Sequence, residues 1–271
     1  MALISPQQLN QLYEQFREIE VTFTRQVVET LGLLQQQVTV KCLGDQVPCT
    51  IYAASMAEAR VILSLEAEFL KKIRQANFAA ALRFSFRTPR RSEPLTFFVP
   101  AKVTGRQEFS PELHFLHLSY TGRPADDLIE RLGQLLEANV NAARRSEVRI
   151  DITPASLKEL RLESREAVVL IEGKPRTCIL RDLSVSGAKL LVFGAAEEFI
   201  QRSVVVQPRF GSHPGGLSLP GRVLRYEEVV GREDIGAIGV RFEVESVPMP
   251  YKVIINDFLR RHPGLGDPRP G

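Results

Sequence analysis

Short runs that alternate apolar and polar residues recur in both halves of this 271-residue chain, each closed off by glycine, proline or aspartate. Alternation with period two is the signature of a strand with one face buried and one solvated. In the first half such runs read Gln37 to Leu43, Val47 to Ala53, Val61 to Leu65, Ala80 to Phe86, Leu95 to Val103 and Leu113 to Tyr120. The second half holds Val168 to Glu172, Thr177 to Arg181, Ala188 to Phe193, Val204 to Phe210, Leu217 to Tyr226 and Ile235 to Val244. About six short strands in each half predict a mainly β chain with flanking helices, built as two small antiparallel β-barrels.

Three helical patterns frame the strands. Ser5-Pro6 reads as an N-cap with proline at the first helical position, and apolar residues from Leu9 to Leu31 follow at spacings of three or four. This predicts one amphipathic helix ending near Gly32. A second helix begins at Arg123-Pro124-Ala125-Asp126 and carries Leu128, Ile129, Leu132, Leu135, Leu136 and Val140 on its apolar stripe. A third opens at Pro250, with Val253, Ile254, Phe258 and Leu259 expected inward, and stops at His262-Pro263-Gly264. Glu66 to Ala76 has a shorter helical pattern. The expected domains are an N-terminal barrel over 1–123, a connector helix and arginine arm over 124–149, a C-terminal barrel over 150–264 and a disordered tail over 265–271.

Composition removes several function classes. Thirty-five basic against 32 acidic residues leave a net charge of +3, too balanced for general nucleic-acid affinity, so anion binding has to be local. The four histidines are scattered, and no Walker loop, HExxH or GxSxG occurs, which argues against an enzyme. His114 and His117 lie three apart on an alternating run and should face opposite sides of a strand. Cys42, Cys49 and Cys178 are odd in number and unpatterned, as expected of buried thiols in the cytoplasm, with no metal site. The apolar runs are too short to span a bilayer and no signal-peptide pattern opens the chain. Arg83, Arg87, Arg90 and Arg91 form a basic stretch that reads as a solvated loop in preference to a contact for nucleic acid or a nucleotide ligand.

Two clusters open the second half. Arg144, Arg145 and Arg149 follow the second helix, and arginine presents a planar fork suited to phosphate, to the guanine edge and to base stacking. Ile150-Asp151-Ile152-Thr153-Pro154 then leaves the helix. Asp182-Leu183-Ser184-Val185-Ser186-Gly187 separates two strand-like runs as a polar hairpin turn. Asp182 and Ser184 are two apart and share a face along a strand, and Gly187 permits positive φ or the close approach of another group.

Taken together, an RxxxR followed some thirty residues later by DxSxxG resembles the PilZ domain, a receptor for cyclic di-GMP, over roughly Arg144 to Pro263. Gly221-Arg222-Val223, Gly239-Val240-Arg241-Phe242 and the terminal amphipathic helix agree with it. The resemblance implies that Arg145 and Arg149 bind the ligand's phosphates and bases, that Asp182 accepts from a guanine N–H, and that Ser184 and Gly187 complete the site. Arg144, just before the pair, implies two stacked ligand molecules per chain. The layout, a motif-free first domain before a true PilZ domain, is similar to the two-domain receptors of the PlzA type. A receptor whose ligand orders the interdomain arm, reorients the domains and so regulates a downstream protein is the leading expectation. A nucleic-acid-binding regulator modulated by the nucleotide is the alternative.

Overall fold

The computed structural model describes residues 4–88, 92–108, 110, 113–144, 147–193, 199–211, 213, 216–229 and 231–265. The chain divides into two compact units, Met1–Glu137 and Ala138–Gly271.

The first unit begins with α1 (Pro6–Phe16), β1 (Val21–Thr22) and α2 (Arg25–Leu31). The single helix expected to end near Gly32 is therefore two helices with a strand between them. The Ser5 capping box and Pro6 start α1 as predicted, and α2 stops where Gly32 takes φ of 68°. What the periodicity hid is the run Val21-Thr22-Phe23-Thr24. Its β-branched residues favour extended backbone, Val21 and Thr22 pair with Ala54 and Ala53, and Thr24 caps α2 by accepting from the Val27 N–H. Ile19, assigned to the apolar stripe, is 44% exposed in the break.

The strands that follow are β2 (Thr39–Cys42), β3 (Asp45–Pro48), β4 (Thr50–Ala54), β5 (Glu58–Ser64), β6 (Ala79–Phe86), β7 (Leu95–Glu108) and β8 (Leu113–Tyr120), with α3 (Ala67–Gln75) between β5 and β6. The expected strand Val47 to Ala53 is two strands, because β3 pairs with β2 whereas β4 pairs with β1 and β5, and the chain changes partners at Cys49. All pairings are antiparallel, in the order β1-β4-β5-β8-β7-β6-β2-β3. This eight-stranded sheet curls into a half-barrel around Val40, Ile51, Val61, Leu82, Phe84, Leu116 and Leu118, each at most 1% exposed. His114 lies on the buried side of β8 and His117 on the outer side, as alternation requires.

Helix α4 (Asp126–Arg144) crosses the division between the units. Leu128, Ile129 and Leu132 are fully buried in the first unit, each burial contributing roughly 1.5–3 kcal/mol. In the second unit Ala142 joins the core and Asn141 donates to Asn256 at 2.9 Å.

The second unit contains β9 (Ile150–Asp151), α5 (Pro154–Leu160), β10 (Glu166–Ile171), β11 (Lys174–Leu183), β12 (Gly187–Phe193), β13 (Ser203–Gln207), β14 (Leu219–Val229), β15 (Arg232–Phe242) and α6 (Met249–Arg261). Strands β10-β13-β14-β15-β12-β11 form a sheet whose ends, β11 and β10, also pair, so six strands close a barrel. Helix α5 was not read from the sequence, although Thr153 accepts from the Ser156 N–H while Ser156 accepts from the Thr153 N–H, with Pro154 at the first turn. In α6 the innermost residues are Tyr251 and Ile255, with Phe258 and Leu259; Val253 and Ile254 are only half-buried. Tyr251 packs edge-on to Phe210 and Phe242, both at 6.1 Å between ring centroids. Leu265, the first residue of the expected tail, ends a 3-10 turn, Pro263–Leu265, and 266–271 lie outside the described residues.

Candidate ligand site on the C-terminal barrel

Arg144 is the last residue of α4, Arg145 lies outside the described residues, and Arg149 directly precedes β9. The RxxxR spacing thus straddles a helix end and a strand start. Asp182 is the penultimate residue of β11, and Gly187 opens β12.

Strand β9 brings these two stretches together. Ile150 and Asp151 pair with Leu183 and Asp182, on the edge of β11 that β10 leaves free beyond Ile179. The Ile152 N–H adds a bond to Arg181 O at 2.8 Å. With β9 fixed there, the guanidinium of Arg149 donates to Asp182 Oδ1 in an ion pair. The same oxygen accepts the backbone N–H of Lys189 at 3.1 Å. A bulge between Leu180 and Asp182 sets the direction of the carboxylate by leaving Arg181 outside the ladder with β12. The Arg149 and Asp182 side chains are 35% and 13% exposed, so the pair is half-buried.

Ser184 is fully buried. Its N–H donates to Gly187 O at 2.8 Å, and its Oγ accepts the Gly187 N–H at 3.0 Å. The hydroxyl therefore builds the turn from inside. Tyr251 of α6 donates its phenol to Ser184 O at 2.8 Å. Burial raises the phenol pKa, the charge of Asp182 adds to the rise and that of Arg149 opposes it. Ser186 donates to Glu147 at 3.4 Å, tying the turn back to the segment before β9. Gly187 sits where a Cβ would lie 2.3 Å from Val240 O on β15, so close approach, and no positive φ, explains the glycine.

Beside the hairpin, Lys189 reaches Glu227 on β14 at 2.5 Å, and Arg225 stands 3.5 Å from the same carboxylate. Neither Tyr251, Lys189 nor Glu227 was singled out from the sequence, since each meets the hairpin only through strand order or helix docking. The stretch gathers guanidinium, carboxylate and ammonium groups beside a turn whose hydroxyl and N–H groups bond one another, a set of groups able to pair with anions and with the polar edges of bases.

In the N-terminal basic stretch, Arg83 is half-buried on β6 and Arg87 is exposed, while Arg90 and Arg91 lie outside the described residues. No helix among the described residues is long and apolar enough to cross a membrane.

The model of the PilZN3 domain matches residues 7–139. The chain is 38% identical to a cyclic di-GMP binding protein of Treponema denticola over 275 aligned residues, covering 98% of this chain and 88% of that protein. Among solved structures, PlzA of Borreliella burgdorferi in complex with c-di-GMP is 19% identical over 93% of this chain and 98% of its own, with a TM-score of 0.42. YcgR of Escherichia coli in complex with c-di-GMP is 14% identical over 96% and 93%, with a TM-score of 0.27.

Proposed function

This chain belongs to the PilZ family in its two-domain, PlzA-like form, and on that premise we propose that it is a receptor for cyclic di-GMP. The observation that carries the reading is the meeting of Arg149 with Asp182, one residue from each motif, at the end of one barrel. The 38% identical relative described as a cyclic di-GMP binding protein supports it independently.

The ligand carries two phosphates and two guanines. Arg149 exchanges Asp182 for a phosphate oxygen, with Arg145 as its partner in neutralising charge. Asp182, released, accepts from a guanine N1–H or N2–H, since a carboxylate has no donor for a phosphate and is repelled by its like charge. Ser184 and Gly187 act by shaping the turn that aims Asp182. Each charge-assisted hydrogen bond contributes roughly 1.5–3 kcal/mol, and fixing backbone costs roughly 1–2 kcal/mol per residue. A few such bonds therefore offset the ordering of the short segment between α4 and β9.

Because that segment follows the helix that crosses from one unit to the other, its ligand-bound arrangement reorients the units and presents a surface to a downstream protein. Arg144 extends the site to a second, stacked ligand molecule. Isothermal calorimetry with cyclic di-GMP tests the reading: saturable binding that Arg149→Ala abolishes is expected, and an unaltered isotherm for that variant overturns the site. Arg144→Leu should lower the ratio from two ligands per chain to one. Small-angle scattering with and without ligand tests the switch, and superimposable profiles remove it while leaving binding intact.

A further inference from the structure

We infer that Arg225 is a base-stacking residue of the ligand site, and that Glu227 latches it together with Lys189 until ligand enters; this rests on the receptor reading above. Asp182, Lys189, Gly239 and Arg225 are successive register partners across β11, β12, β15 and β14. At the ordinary strand spacing the row runs about 14 Å from the motif aspartate to Arg225, a span on the scale of a dinucleotide. The barrel keeps this row low at its third position. A Cβ on Gly239 would lie 2.7 Å from Arg225 Cγ and 2.8 Å from its Nε, so the arginine side chain lies directly over the glycine. The stem is thereby supported from below, and 57% of the side chain is open to solvent. A guanidinium held this way offers a planar cationic face for a purine.

Glu227 pairs with both Arg225 and Lys189. Its Oε2 accepts from Lys189 Nζ at 2.5 Å and its Oε1 stands 3.5 Å from Arg225 Nε. Lys189 in turn donates its backbone N–H to Asp182 at 3.1 Å, so the latch is continuous with the motif residue. The carboxylate neutralises two cations that an anionic ligand would otherwise meet. Removing Arg225 and removing the charge of Glu227 should therefore act in opposite directions, which a merely structural role for the pair does not produce.

Calorimetry of the full chain with cyclic di-GMP decides it. Arg225→Ala should weaken binding about tenfold with unchanged thermal stability, the size of one lost base-stacking contact. Arg225→Lys should not restore it, because an ammonium keeps the charge without the plane. Glu227→Gln should tighten binding several-fold. Wild-type affinity in Arg225→Ala, rescue by lysine, or weaker binding in Glu227→Gln overturns the inference. If Arg149→Ala abolishes binding while Arg225→Ala leaves it untouched, only the stacking claim fails. If the wild-type chain takes up no cyclic di-GMP, the receptor reading falls and this one falls with it.

Discussion

The phenol of Tyr251 donates to the backbone carbonyl of Ser184 at 2.8 Å, so the C-terminal helix holds the turn that carries the DxSxxG residues. Both residues are fully buried, and Tyr251 is wedged edge-on between Phe210 and Phe242. Helix α6 therefore supports the DxSxxG turn, although none of its side chains belongs to either motif.

Tyr251→Phe keeps the ring and deletes the hydroxyl, leaving Ser184 O without this donor. The expected loss is about 1–2 kcal/mol of stability in urea unfolding, with weaker cyclic di-GMP binding from a looser turn. Unchanged stability would show that the bond contributes nothing net.

The Arg149–Asp182 pair is half-buried, so Arg149→Ala should cost about 1 kcal/mol in the free protein besides losing ligand. Asp182→Asn should cost a similar amount. In a double-mutant cycle the two should couple by about 0.5–1 kcal/mol. Strict additivity would mean that the pair is not formed in solution.

Two glycines on the barrel should respond differently to alanine. At Gly187 the new Cβ meets backbone, 2.3 Å from Val240 O, and the ladder between β12 and β15 has to open. A loss of about 2–4 kcal/mol is expected. At Gly239 the new Cβ meets the flexible stem of Arg225, which swings away, so the loss should stay below about 1 kcal/mol. Thermal melts of the two variants compare them directly, and equal losses would refute the distinction between backbone and side-chain contact.

Alkaline pH should destabilise the fold. Burial pushes the thiols of Cys49 and Cys178 up to about 12, from 9.0 in the ordinary case. The folded chain thus keeps protons that the unfolded chain releases. The associated stability is complete below pH 9 and declines as pH rises from there toward 12, by up to about 1.4 kcal/mol per pH unit for each thiol. The buried phenols of Tyr120 and Tyr251, also raised by burial, steepen the decline. Urea midpoints at pH 8 and pH 10.5 measure it, and equal midpoints would contradict the burial of these groups.

Alternation, turn residues and caps made much of this architecture legible. Leu113–Tyr120 appears as a strand with the predicted bounds, Ser5-Pro6 caps the first helix, and Gly32 ends the second. These features depend on neighbours within a few residues. The break at Val21-Thr22 was not legible, because it exists only where β4 offers these residues a partner. Nor was it legible that the first sheet curls only into a half-barrel while the second closes, since closure depends on β10 and β11 pairing at both of their edges.

The chain's residues alone determined which groups carry charge and how they are spaced: arginines at 144, 145 and 149, then aspartate, serine and glycine at 182, 184 and 187. Only the tertiary structure decided what those groups do for one another. Two paired residues, Ile150 and Asp151, bring Arg149 to Asp182 across thirty-three positions of chain. Burial turns Ser184 inward to build the turn, and the carbonyl of Val240 leaves no room at Gly187 for anything larger than hydrogen. The physical reason is range. Period and propensity act between residues close in sequence, whereas an ion pair, a docked phenol or a missing Cβ depends on which distant backbone the fold brings within a few ångströms.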